Sequence, residues 1–465
     1  MPAIPAPATL ALPDLTALAE AMTGAKSGPA LLDRARPLPR LISIWEITSW
    51  ILPMAPEHLR RVLAAEPDLP QGATGVEGGT RWFTPADVAA LRARFGQGGR
   101  KRRYHPHRPP GALAPLITLT QPQGGAGKST AALHLATAAA LAGYRVLLID
   151  ADAAAGPDSG PGGGVTQALL ASPAHELGVL GLIARAAALH LRQGNEARMD
   201  RGEAPLAMDA VLNTALTLQA ADLIRPTQWP GLDLLPAAPG LMQADLQIGR
   251  WRMAQPRWQP WQALAQALTS DGLRRDYDLI LCDTGRGLGP LALAMLASAD
   301  VLLAPLPLVP GALNGLGAGI AALSRALGTL EAEARMTAQA LGQTAQPMQW
   351  RGVAVLPTRA GPDAAALLAS TAARLGATVL PAAVLPATVL PAALPEIPQI
   401  AAGRAAQFYD LDYRDVGRLV YAPQRNAIEA AWRGVADLLT GLWAADSAGH
   451  GGFAAKPSKD GSPAG

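Results

Sequence analysis

LITLTQPQGGAGKST, residues 116 to 130, decides the fold. The apolar run LITLT leads directly into a glycine-rich turn closing on Gly-Lys-Ser, and STAALHLATAAALAG then reads as a helix ending at Gly143. Strand, glycine loop and helix together are the context a phosphate loop requires. The glycines free backbone N–H groups to aim at anionic oxygens where the helix begins. Gly124, Gly125, Ala126, Gly127, Lys128, Ser129 and Thr130 are the expected cradle. Lys128 is placed to reach the β- and γ-phosphates of a nucleotide, and the Ser129 hydroxyl to ligate Mg2+.

Working outward, the chain alternates apolar runs with longer helical stretches. Leu116 to Thr120, Arg145 to Asp150, Leu232 to Pro236, Asp278 to Asp283, Val301 to Pro305 and Gly352 to Leu356 read as strands. Their near-continuous Leu, Val and Ile content predicts burial on both faces, hence a mostly parallel α/β sheet. Asp150 ends RVLLID and is followed two residues later by Asp152, so the first can hold a magnesium-bound water while the second approaches an attacking water. Asp283 ends DLILCD, where an acid can complete the metal shell. Lys128 and Asp152 are the expected catalytic pair, and Ser129, Asp150 and Asp283 the expected metal set.

Upstream, Ser43 is placed to cap a helix through Ile44, Ile47 and Ile51, and Pro56 to open a second with Leu59, Val62 and Leu63 inside. His58, Arg60 and Arg61 then point outward. In GGTRWFTPADVAALRARF, Gly78 and Gly79 make a turn, Arg81 to Phe83 a strand, and Thr84 caps a helix whose inner face carries Val88, Leu91 and Phe95. Two short helices, a wing and a closing helix are the parts of a winged helix-turn-helix, and GTRWFTPADVAALR resembles the wing and following helix of MerR-type DNA-binding domains. His58, Arg60, Arg61 and, on the wing, Arg81 are the expected DNA contacts.

The 465 residues carry a net charge of +3, unevenly spread. Residues 81 to 110 hold eight Lys/Arg against the single acid Asp87, which leaves −4 for the rest and suggests contact with a phosphate backbone. Cys282 sits in an apolar run, as a buried thiol does, and seven scattered histidines offer no zinc set. The longest uncharged stretch, Val301 to Ser324, is interrupted by Pro305, Pro307 and Pro310 and suits a strand, turn and helix better than a membrane span. The first residues show no basic region ahead of an apolar core, so the expected location is cytoplasmic.

GGAGKST, RVLLIDAD, the run 224 to 247, the run 277 to 308 and the ending FYDLDYRDVGRLVYAPQRNAIEAAWRGVADLL resemble the ParA/MinD-type P-loop ATPases with a deviant Walker A loop. The likeness is greatest to the plasmid-partition ParA/RepA branch, which carries an N-terminal winged helix-turn-helix. It implies ATP and Mg2+ as cofactors, a homodimer around two nucleotides, DNA binding both non-specific and at an operator, and a nucleoid-associated location. It also implies a ParB-type centromere-binding partner, autorepression of an operon, and DNA contacts among Arg404, Arg414, Arg418, Arg425 and Arg433.

Three positions depart from that pattern. The family's first lysine is Gln123, its Pro-Gln after the second aspartate is Ala153 and Ala154, and its proline pair after Asp283 is Gly285 and Arg286. An amide brings no full charge to a transition state, so nucleotide binding without hydrolysis is the alternative reading, a nucleotide-responsive repressor or scaffold. A MinD-like membrane-recruited regulator is a further rival, against which the terminal residues form no basic amphipathic helix. Arg286 is placed to restore the missing charge. The expected layout is a flexible arm at 1–36, a winged helix-turn-helix at 37–96, a basic Pro/Gly linker at 97–114, the ATPase domain at 115–446 and a disordered tail at 447–465.

Overall fold

The protein is represented by a computed structural model that describes residues 40–450, apart from 75–79, 97–103, 105, 107, 122–124, 153–163, 170–174, 346, 361–363, 377–387 and 402–404. The arm at 1–36, Gly78 and Gly79, Gln123 and Gly124, Ala153 and Ala154, and Arg404 lie outside the described residues.

Strands in chain order are β1 Ile42–Ser43, β2 Ala73–Thr74, β3 Arg81–Phe83, β4 Leu116–Leu119, β5 Val146–Ala151, β6 Arg225–Pro226, β7 Leu232–Leu235, β8 Leu279–Thr284, β9 Val301–Pro307, β10 Gly352–Thr358 and β11 Thr388–Val389. Eight form one sheet in the order β11-β10-β9-β4-β8-β5-β7-β6. Every pairing in it is parallel except that of β6 with β7. All six expected strands are present. The sequence reading missed the edge strands β6 and β11, each only two residues long and too short to carry a pattern.

Strand alternation sorts the sheet into two cores. Ile117, Leu119, Val146, Leu148, Leu279 and Leu281 face one side, with the loop's helix Lys128–Leu141 and the long helix Arg418–His450. Leu116, Leu147, Ile149, Ile280 and Cys282 face the other, with helices Val179–Asp200, Pro260–Ser270 and Pro290–Ala297. Because the side-chain period is two, Asp150 and Asp283 share the face of Leu148 and Leu281. Both acids therefore emerge on the side that carries the phosphate-loop helix.

At the head, β1, β3 and β2 form a small antiparallel sheet. Ser43 and Glu46 close a capping box at helix Ile44–Glu46, which continues as a π-helical turn over Ile47–Ile51. Pro56 opens helix Pro56–Ala65 with Leu59 and Leu63 inside, each worth about 1.5–3 kcal/mol of burial. Thr84 and Asp87 exchange hydrogen bonds at the start of helix Pro85–Gly96. From Arg40 onward the described residues form one unit, and the head shares its core with the phosphate-loop helix. The helix Arg418–His450 runs past Ser447, where the tail was expected to begin, and the Ser447 hydroxyl bonds back to Trp443. Val301 to Ser324 folds as strand, turn and the start of helix Ala312–Ala340, and no described helix is long and apolar enough to cross a membrane.

Candidate nucleotide site and candidate DNA contacts

β4 ends under the loop, flanked by β8 and β9, and the register sets Leu119 opposite Asp283 and Asp283 opposite Asp150. Gly125 and Gly127 hold φ of 76° and 87°, the left-handed region a phosphate cradle needs and side chains disfavour. Lys128 begins the helix and is buried, its Nζ donating to the Gln121 carbonyl at 3.1 Å. Burial pushes its ammonium pKa down and Arg286 adds to that, while Asp283 and Asp152 hold it up. Ala126 is buried, and its carbonyl accepts from the Thr358 hydroxyl at 3.2 Å, so the end of β10 braces the loop.

Asp283 is fully buried, and neither carboxylate oxygen has an aligned hydrogen bond among the described residues. Burial and the Asp150 charge push its pKa up to about 8, against the nearby Ser129 hydroxyl and Lys128, which pull it down. The Ser129 contact is thus close in space but poorly aligned as a hydrogen bond. An acid orphaned in this way beside a hydroxyl is a donor set that fits Mg2+, which takes oxygen ligands and few protein side chains. Among the described residues no group of three His, Cys, Asp or Glu converges on a metal site.

Asp150 is held by hydrogen bonds of its own. Its Oδ2 accepts from the Thr166 amide at 2.8 Å and hydroxyl at 2.7 Å, and its Oδ1 from the Asp152 amide at 3.2 Å. Both oxygens are engaged, and burial still raises its pKa to about 6. Thr166 in turn accepts from the Ala237 amide at 2.7 Å, so one hydroxyl ties the ends of β5 and β7 together. Nothing in the sequence around Thr166 signalled this. Asp152 lies against the loop after β8: a Cβ on Gly285 would stand 2.9 Å from its Oδ1. The departure at Gly285 thereby admits the aspartate. Arg286 is exposed.

In the head, His58, Arg60 and Arg61 are exposed on helix Pro56–Ala65, with Arg60 near Glu57 at 3.4 Å. Arg81 is half-buried and donates to Gln71 at 3.4 Å. The described residues of the basic block are occupied within the chain. Arg94 pairs with Glu66, Arg108 reaches the carbonyl of Arg275 and the carboxylate of Asp278, and Arg92 is buried on backbone carbonyls. Arg100, Lys101, Arg102 and Arg103 lie outside the described residues.

Among the described C-terminal arginines Arg425 alone is buried, while Arg414, Arg418 and Arg433 are exposed. Arg425 is buried, with its guanidinium 4.4 Å from the Tyr409 ring centre and 2.8 Å from Glu429, an ion pair without the angle of a hydrogen bond. Arg414 stacks over Trp82 at 4.1 Å and pairs with Asp412, and Arg418 lies over Trp45 at 4.7 Å. Arg433 is exposed. The DNA role expected for Arg425 is therefore closed to it, since the aromatic residues between head and C-terminal helix enclose its charge. Trp229, Trp251, Trp258 and Trp261 are buried packing residues.

The family described as AAA domain matches residues 114–332. The chain is 27% identical over 285 residues to a provisionally named replication protein A of Sinorhizobium fredii, covering 58% of each. To the chromosome partitioning protein ParA of Caulobacter vibrioides it is 29% identical over 215 residues, covering 46% of this chain and 64% of that one. It thus spans less than two thirds of the length of these curated relatives. A solved structure titled Partition Protein superposes with a TM-score of 0.50 at 18% identity, over 86% of this chain and 96% of that one, a likeness of fold. The family match over residues 114–332, the replication and partition relatives and the likeness of fold together support a ParA-type P-loop ATPase.

Proposed function

We propose that the protein is a partition ATPase: a chain that binds Mg2+ and ATP in the loop 124–130, pairs with a second copy around the nucleotides, and holds DNA in that state. The observation that carries this reading is Asp283, a buried carboxylate without an aligned partner beside Ser129 and Lys128. Magnesium supplies charge neutralisation at the β- and γ-oxygens when bound. The chain's own residues do the rest. Loop amides and Lys128 hold phosphate, Ser129 and Asp283 furnish metal ligands, and Asp152, seated against Gly285, orients water. Asp150 holds Thr166 and with it the end of β7.

The head is the operator-reading and autorepressing module in this proposal, through the exposed His58, Arg60 and Arg61 and the half-buried Arg81. A ParB-type protein is the proposed partner and the nucleoid the proposed location. Calorimetry of the full chain with ATP and Mg2+ is the first test, and absence of heat at saturating nucleotide overturns the reading. A second reading keeps binding and loses hydrolysis, and is favoured by the uncharged amide of Gln123. Turnover with and without DNA separates the two.

A further inference from the structure

Arg359, directly after β10, is the one non-glycine residue with positive φ among the described residues, at 52°. An L-residue is held there only where its surroundings over-determine the backbone, and such positions gather at ligand clamps. The clamping contacts are present. The Thr358 carbonyl accepts from Leu308 at 2.8 Å, its hydroxyl grips Ala126, and the Ala360 amide reaches the Leu394 carbonyl at 3.4 Å.

This backbone sends the side chain over the phosphate loop. A guanidinium nitrogen of Arg359 lies 3.9 Å from where a Cβ on Gly125 would stand, and the residue lines a pocket of about 150 Å³ with Gly127, Thr130, His134 and Thr358. Arg359 is exposed, and no described residue hydrogen-bonds or ion-pairs with it. By contrast, the ammonium of Lys128 is turned inward on Gln121. The loop thus faces its pocket with one unspent planar cation, in a chain whose position 123 carries no charge.

We propose that Arg359 is a phosphate-binding residue of this site, a guanidinium from the same chain that brings to the nucleotide the charge Gln123 lacks. The inference rests on the nucleotide reading above and names a residue that reading did not contain. A guanidinium binds phosphate oxygens through paired N–H groups, and a left-handed residue braced on the loop itself pre-positions it without a lid closing.

The test is calorimetric binding of Mg·ATP to the full chain and to Arg359→Gly, Arg359→Gln and Arg359→Lys, with melting curves taken without nucleotide. Glycine is unstrained at this φ, so Arg359→Gly is expected to melt no lower than the wild type. Its ATP affinity should fall about ten-fold or more, as for loss of a charge-assisted contact. Arg359→Gln should be equally weak, and Arg359→Lys, which keeps the charge but not the paired N–H groups, should bind between the Gln variant and the wild type. Wild-type affinity in both Arg359→Gly and Arg359→Gln overturns the role of Arg359 and leaves the nucleotide reading standing, as does equal weakness of the Lys and Gln variants. A wild-type chain that binds no ATP overturns both.

Discussion

The guanidinium of Arg92, on the closing helix of the head, donates to the carbonyl of Leu141 at the C-terminus of the phosphate-loop helix. It also bonds the carbonyls of Ala142 at 3.2 Å, Ile51 at 2.9 Å and Tyr104 at 2.6 Å. One side chain thus caps the helix that starts at Lys128 and ties it to the head at Ile51 and to the linker at Tyr104. Gly143 makes room for it, since a Cβ there would stand 2.9 Å from the Arg92 side chain. Burial lowers the Arg92 pKa to about 10, which leaves it charged at neutral pH.

Arg92→Met keeps the apolar stem and strips four carbonyls of their donor. Hydrogen bonds to a charged group contribute about 1.5–3 kcal/mol, and capping a helix end adds to that, so a loss of about 3 kcal/mol is expected. Urea unfolding of the full chain measures it, and a loss below about 1 kcal/mol would show that water replaces the guanidinium. Arg92→Lys should recover less than half, because one ammonium cannot span the four acceptors.

His134 gives the site a dependence on acid. It is buried on the phosphate-loop helix, accepts from the Phe408 amide at 3.0 Å, and its pKa is driven down to about 3 by burial. The unfolded chain binds a proton near pH 6.5 and the folded chain does not until about pH 3. The stabilisation is therefore whole above 6.5 and is lost progressively as pH falls towards 3. Melting curves from pH 7.5 to 4.5 should show the wild type losing stability faster than His134→Gln, which can still accept from Phe408 but does not titrate. Parallel curves would place the acid sensitivity elsewhere.

How much of this was legible depends on how local each feature is. Lys128, Ser129, Asp150 and Asp283 could be found because each stands at a strand end or in a loop whose chemistry is written in its immediate neighbours, and parity along β5 and β8 puts the acids on the right face. Arg92 was readable in principle, since Val88, Leu91, Arg92 and Phe95 share one helical stripe, and a charge on a buried stripe needs a partner. The engagement of Asp150 by Thr166 was not readable, because the intervening 15 residues give no sign of where the chain returns. Arg425 looked like a surface cation because its enclosure comes from Tyr409 and from Trp50 of the distant head. Arg359 follows a strand end as the aspartates do, but its significance lies in a backbone angle that composition does not reveal.

Gly285→Ala tests whether Asp152 is positioned by the loop after β8. The added Cβ would stand 2.9 Å from Asp152 Oδ1, tighter than carbon and oxygen tolerate, so the carboxylate must move. Lys128, Ser129 and the loop amides are untouched by this change. ATP affinity should stay within about three-fold, while turnover falls about ten-fold or more, in line with the rate cost of shifting a reacting group by an ångström. Unchanged turnover would remove Asp152 from the proposed water-orienting role.

Arg425 and Arg433 lie on the same C-terminal helix, two turns apart, and should separate packing from DNA contact. Arg425 is enclosed by Tyr409, Glu429 and Trp50, so Arg425→Met leaves the half-buried Glu429 without its nearest countercharge. Breaking one side of such a pair costs about 3–5 kcal/mol, which urea unfolding would register. Arg433 is exposed and belongs to no ion pair among the described residues, so Arg433→Ala should change stability by no more than about 0.5 kcal/mol. If the helix touches DNA through its outer face, the same variant lowers affinity for random duplex and reduces the slope of log affinity against log salt by about 0.9. An unchanged slope in Arg433→Ala, with stability and ATP binding intact, would exclude a DNA contact through Arg433.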